Sequence, residues 1–119
     1  MKIRILFAAL FIASMMCSCN RTWTDSELAI IAYEGNGLNS EASEFGSIAP
    51  NRWPTAIAQL RPEQVYRTPA GLYIATDSFF VEERGLFVPD PATPFLPDHG
   101  SDPSYESLGE GIFAYAIKG

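Results

Sequence analysis

The densest run of groups able to do chemistry in this 119-residue chain is Asp98-His99-Gly100-Ser101-Asp102. His99 is the only histidine, so any proton transfer through an imidazole must use it. A serine, a histidine and two aspartates stand within this short run. A Ser-His-Asp triad draws its members from separate elements, because hydroxyl, ring and carboxylate must line up. Neighbours in one loop do not reach that geometry, and no Gly-x-Ser-x-Gly elbow is present. The plain reading is a solvated polar loop. The alternative is a small hydrolase, or a ligand- or metal-binding domain, working through Asp98, His99 and Asp102. Asp90, Asp98, Asp102 and Glu106 offer hard oxygens of the kind calcium takes, yet their spacing follows no EF-hand pattern. No metal site, catalytic residue or cofactor is assigned.

Two other constellations read more simply as structure. Gly35-x-Gly37 lacks the third glycine and the strand–turn–helix setting of a phosphate loop. Glu82 and Glu83 are adjacent, and adjacent strand residues point to opposite faces, so they would not share a proton. A solvated sheet edge is expected there.

The first residues form a targeting segment. Lys2 and Arg4 make a basic start, and residues 5–16 are apolar throughout. That run is shorter than the roughly 20 residues a membrane-spanning helix needs. Met16-Cys17-Ser18-Cys19 follows at once. This stretch resembles the lipobox of bacterial lipoproteins, with an apolar residue three before the cysteine and a small residue just before it. The resemblance covers residues 1–20 and concerns location alone. It implies a signal peptide over 1–18, a lipid on Cys19, a tether over 19–25, and a membrane anchored through acyl chains. Asn20 after the cysteine, in place of the aspartate that retains such proteins at the inner membrane, implies the outer membrane. The other reading is an ordinary signal peptide and a soluble exported domain.

Composition narrows the partners. Removing Lys2 and Arg4 leaves six basic residues against fourteen acidic ones, a balance of −8. Nucleic acid and anionic lipid surfaces attract the opposite pattern, so no nucleic-acid partner is expected. The two cysteines both fall at the signal boundary, which leaves no disulfide, thiol nucleophile or thiolate metal site downstream. Trp23, Phe45, Trp53, Phe80, Phe87, Phe95 and Tyr105 exceed what one obvious core stripe requires. Core packing is the default for them, and an exposed cluster would mark a protein contact.

The elements that would carry these groups occupy residues 26–119, a single small α+β domain. Thr24-x-x-Glu27 has capping-box form, with Leu28, Ile31 and Ala32 at helical spacing and Gly35 as the stop. The nearly all-apolar run from Leu28 to Tyr33 also permits a strand. Residues 36–50 read as loop, with one helical turn near Ser40–Phe45. Asn51 caps a second helix with Trp53, Ile57 and Leu60 on one face, ended by Pro62. Val65–Arg67 and Leu72–Thr76 read as strands about a turn at residues 68–71. Phe79–Glu82 and Leu86–Val88 read as a second hairpin about Arg84-Gly85; a helical turn from Asp77 to Gly85 is the rival. Five prolines between Pro89 and Pro103 make a long surface loop. Gly111–Lys118 is apolar on both faces and reads as a central strand.

The expected architecture is therefore a small antiparallel sheet of about four strands with one or two short helices on a face. The expected function is a non-catalytic envelope binding or interaction module, with the membrane and an envelope protein as partners.

Overall fold

The computed structural model describes residues 22–41, 44–79, 82–95 and 102–118. Within them the chain is α+β, one antiparallel sheet of six strands with two helices. The elements run α1 (Asp25–Glu41), β1 (Gly46–Ser47), a 3-10 turn (Pro50–Arg52), α2 (Thr55–Gln59), β2 (Gln64–Thr68), β3 (Gly71–Phe79), β4 (Glu82–Pro89), β5 (Ser104–Gly109) and β6 (Ile112–Ile117). The sheet order is β1-β2-β3-β4-β6-β5. Among the described residues no helix is long and apolar enough to cross a membrane.

α1 starts where its capping box predicts. Thr24 Oγ1 accepts the Glu27 N–H at 3.2 Å and donates to Glu27 Oε1 at 3.0 Å. The helix does not stop at Gly35. It continues to Glu41, through residues expected to be loop, and buries Leu28, Ile31, Gly35, Leu38 and Asn39. Gly35 is the point of closest approach to the sheet: a Cβ there would stand 2.8 Å from Val88 Cγ2. The glycine lets α1 cross β4 rather than ending the helix. Asn39 then ties the two together, Nδ2 donating to the Val88 carbonyl at 3.2 Å.

The second helix is also shifted from expectation. Asn51 lies in the 3-10 turn, and Pro54 is the N-cap of α2. With no side-chain cap of its own, α2 borrows one. Glu34 of α1 accepts the Ala56 and Ile57 N–H groups at 3.1 and 3.0 Å, satisfying donors that a helix start leaves open.

β2 and β3 form the expected hairpin, turning at Pro69-Ala70. The next reversal falls between Phe79 and Glu82, not at Arg84-Gly85. Glu83, Gly85 and Phe87 alternate unbroken with Arg84, Leu86 and Val88 through β4. The ladder bulges between Ala75 and Asp77, and a Cβ on Gly85 would meet Ile74 O at 1.9 Å. The glycine accommodates that bulge. β5 is a strand the sequence reading lacked. It joins β6 through Gly109-Glu110-Gly111, whose φ values are all positive, at 109°, 53° and 76°. β6 lies inside the sheet between β4 and β5, as its two apolar faces require.

The sheet has two unlike faces. One packs under the helices with Leu28, Ile31, Leu38, Ile57, Val65, Leu72, Ile74, Leu86, Val88 and Ile112 buried together. The other is aromatic, built on Tyr73, Phe87 and Tyr115 with Tyr66, Phe95, Tyr105 and Phe113 against them.

Candidate functional site

Asp102 is the described member of the polar loop; Asp98 and His99 lie outside the described residues, as do Cys17, Cys19 and Phe80. Asp102 Oδ1 accepts the Lys118 backbone N–H at 2.7 Å, which ties the start of β5 to the end of β6. Asp90 instead faces Arg67, at 3.6 Å. Among the described residues no three His, Cys, Asp or Glu side chains gather closely enough to hold a metal ion.

The expected solvated edge at Glu82 and Glu83 holds only for Glu82, which stands 3.6 Å from an exposed Arg84 guanidinium. The two carboxylates do point to opposite faces. Glu83 enters the aromatic face and gathers three donors: Tyr66 Oη at 2.6 Å, Tyr115 Oη at 2.6 Å and Gln64 Nε2 at 3.2 Å. The neighbouring Tyr73 and Tyr105 hydroxyls bond to each other at 2.7 Å. Burial first, then the hydrogen bond to Glu83, pushes the Tyr66 and Tyr115 phenols far above their ordinary range. Burial and the Tyr105 bond do the same for Tyr73. Groups held neutral this firmly are poor bases and poor acids near neutrality.

The rings lock the same network. Tyr66 stacks on Tyr73 with centroids 5.1 Å apart, and Tyr73 meets Tyr115 edge-on at 4.9 Å. Phe95, from the proline-rich segment, folds back onto Phe87, Tyr105 and Phe113 at 4.8, 4.9 and 5.2 Å. Of the aromatics in excess, Phe87, Phe95 and Tyr105 join this second core, and Trp23 and Trp53 pack against the core under the helices. Phe45 is an exception: it is 59 % exposed, with Arg67 Cζ 5.0 Å from its ring centroid.

The opening suited to a ligand is on the other face. α1 crosses the sheet over Val88 of β4 and Gly109 of β5, and toward the opposite end of the strands β4, β6 and β5 lie open. Trp23, just before α1, and Leu60, just after α2, wall a trough of about 860 Å³. Ala114 and Ala116 of β6 form its floor, and Thr76, Asp77, Arg84, Ser104 and Glu106 bring polar groups to it. The register places Arg84 and Ser104 on either side of Ala116, and Leu86 and Glu106 on either side of Ala114. Small floor residues between longer polar ones create the depression. This size falls within the roughly 300–1,000 Å³ of ordinary small-molecule sites. The sequence reading missed it, because it depends on where the helices end.

Neither a protein-family model, nor a curated protein, nor a solved structure matches the chain.

Proposed function

We propose that this chain is an exported protein, tethered to the cell envelope through a lipid on Cys19, whose folded domain binds another envelope component and performs no chemistry on it. The observation that carries the binding role is the contrast between the two sheet faces. The cluster around Glu83 is satisfied internally, and Phe95 closes the Phe87 end of the same face. The trough beside Trp23 presents donors and acceptors toward open space. Asp102, the described member of the alternative hydrolytic loop, is engaged in holding two strands together.

The tether supports the location. Five residues separate Cys19 from Asp25, where α1 begins. At about 3.5 Å per residue the folded part would stand within roughly 20 Å of the acylated cysteine. Trp23 lies on that same short stretch, so the trough would open close to the membrane surface.

Crosslinking in intact cells followed by recovery of the lipidated chain tests the binding role. An envelope component should be recovered with the wild type and lost with Ala116→Gln, which raises the trough floor without touching the buried core. Recovery unchanged by Ala116→Gln would remove the trough from the reading. Recovery of nothing across growth conditions would defeat the binding role itself.

A further inference from the structure

We infer that the trough is a glycan site: it takes a neutral, hydroxyl-rich oligosaccharide lying across β4, β6 and β5. This rests on the binding-module reading and names the class of its ligand. The argument starts from what the trough offers and proceeds by exclusion. Asp77 and Glu106 line it together with a single cation, Arg84, which Glu82 attends at 3.6 Å. Local charge is therefore net negative, which disfavours phosphorylated and other anionic ligands. An acyl chain would leave these carboxylates and the guanidinium facing hydrocarbon without compensation.

An extended peptide gains its affinity by adding a strand to a sheet edge. The trough lies on the face of β4, β6 and β5; the free backbone groups of β5, an edge strand, point outward in the plane of the sheet and not into this face, while β4 and β6 are interior strands paired on each side. Their backbone groups are already spent in ladders. What remains is side-chain chemistry of both senses: carboxylates accept, the guanidinium donates, the Ser104 hydroxyl does either, and Thr76, whose hydroxyl donates to the Arg84 carbonyl at 3.4 Å, accepts. Sugar hydroxyls likewise donate and accept, and a pyranose also has an apolar C–H face. Trp23, half-buried against the core, borders the trough with a flat, amphipathic ring of the kind such a face packs on. The floor of Ala114 and Ala116 leaves room for rings to lie flat. The volume of about 860 Å³ exceeds what one sugar ring fills, so an oligomer suits it better than a monosaccharide.

The chain's two tryptophans give a built-in readout. Trp23 walls the trough, while Trp53 donates its indole N–H to the Ile48 carbonyl at 2.9 Å, away from it. The test titrates the full chain, in nonionic micelles, with the β-1,4-linked tetramer of N-acetylglucosamine, following the two indole resonances by NMR. The Trp23 signal should shift saturably while Trp53 stays in place. Ala116→Gln should weaken the effect at least about tenfold with the Trp53 signal unchanged, which shows the fold retained. Ser104→Leu, a second change at the trough, should do the same and covers the case in which the first variant misfolds. An unmoved Trp23 signal at millimolar tetramer overturns the glycan assignment, as does equal displacement of both indoles. If the tetramer fails but Ala116→Gln still abolishes recovery of a crosslinked component, the glycan class falls and the binding-module reading stands.

Discussion

Replacing Tyr115 by Phe removes one hydroxyl from the least exposed part of the Glu83 network. Tyr115 is 3 % exposed, and its Oη donates to Glu83 Oε2 at 2.6 Å. The ring keeps its edge-on contact with Tyr73, so almost all packing survives. The loss is then that of a hydrogen bond to a charged acceptor, about 1.5–3 kcal/mol. Tyr66 and Gln64 still serve the carboxylate, which places the expectation near the lower end, about 2 kcal/mol. For a domain of this size that corresponds to a fall in Tm of roughly 8–16 °C. Glu83→Gln should cost a similar amount by taking the charge from the acceptor, and because Tyr115→Phe removes a donor to that same acceptor, the double variant should fall short of their sum by about 1 kcal/mol or more. Urea denaturation followed by far-ultraviolet circular dichroism measures all three. A Tyr115→Phe loss below about 0.5 kcal/mol, or full additivity with Glu83→Gln, would refute the claim that this carboxylate organises the aromatic face.

Stability should fall at alkaline pH. Tyr66, Tyr73 and Tyr115 have folded-state pKa values raised above that of a free phenol, so the folded state holds protons the unfolded state releases. Their contribution is fully present below the unfolded value of about 10 and declines above it, by about 1.4 kcal/mol per pH unit for each group. Absorbance titration should show at least these three of the five tyrosines ionising only as the protein unfolds. Gly85→Ala should destabilise by at least about 3 kcal/mol, since its Cβ would sit 1.9 Å from Ile74 O; a chemical denaturation midpoint within error of wild type would show that the bulge relaxes freely. Glu34→Ala should lower stability by about 1 kcal/mol through loss of the cap on α2, and amide exchange at Ala56 and Ile57 should accelerate more than elsewhere.

The parts of the fold legible in the sequence were those fixed by neighbours. Thr24 and Glu27 cap α1 through contacts three residues apart, and the β2–β3 hairpin closes over a four-residue turn. Gly35 misled because glycine more often ends a helix than passes under a crossing strand, and Val88, the reason for it, lies far away in sequence. β5 was hidden behind the prolines, although Gly109-Glu110-Gly111 carried a turn signal that its positive φ values now explain. With β1, only two residues long, β5 accounts for the difference between about four strands and six.

The same distinction governs the candidate sites. Strand alternation correctly separated Glu82 from Glu83. It was silent on what Glu83 would meet, because Tyr66 and Tyr115 stand 17 and 32 residues away. The trough was beyond sequence reasoning altogether. It exists because α1 crosses the sheet at the Val88 and Gly109 end of the strands, leaving the other end uncovered, and because two alanines fall between longer side chains.

The proposed attachment at Cys19 is open to one direct measurement. Cells expressing the chain are fed a clickable palmitate analogue, and label and membrane association are followed for wild type, Cys17→Ser and Cys19→Ser. Wild type and Cys17→Ser should carry the label and sediment with membranes. Cys19→Ser should lose the label and either leave the membrane fraction or remain unprocessed. A wild-type chain that never takes the label, or a label lost through Cys17→Ser alone, would contradict the anchor proposed here.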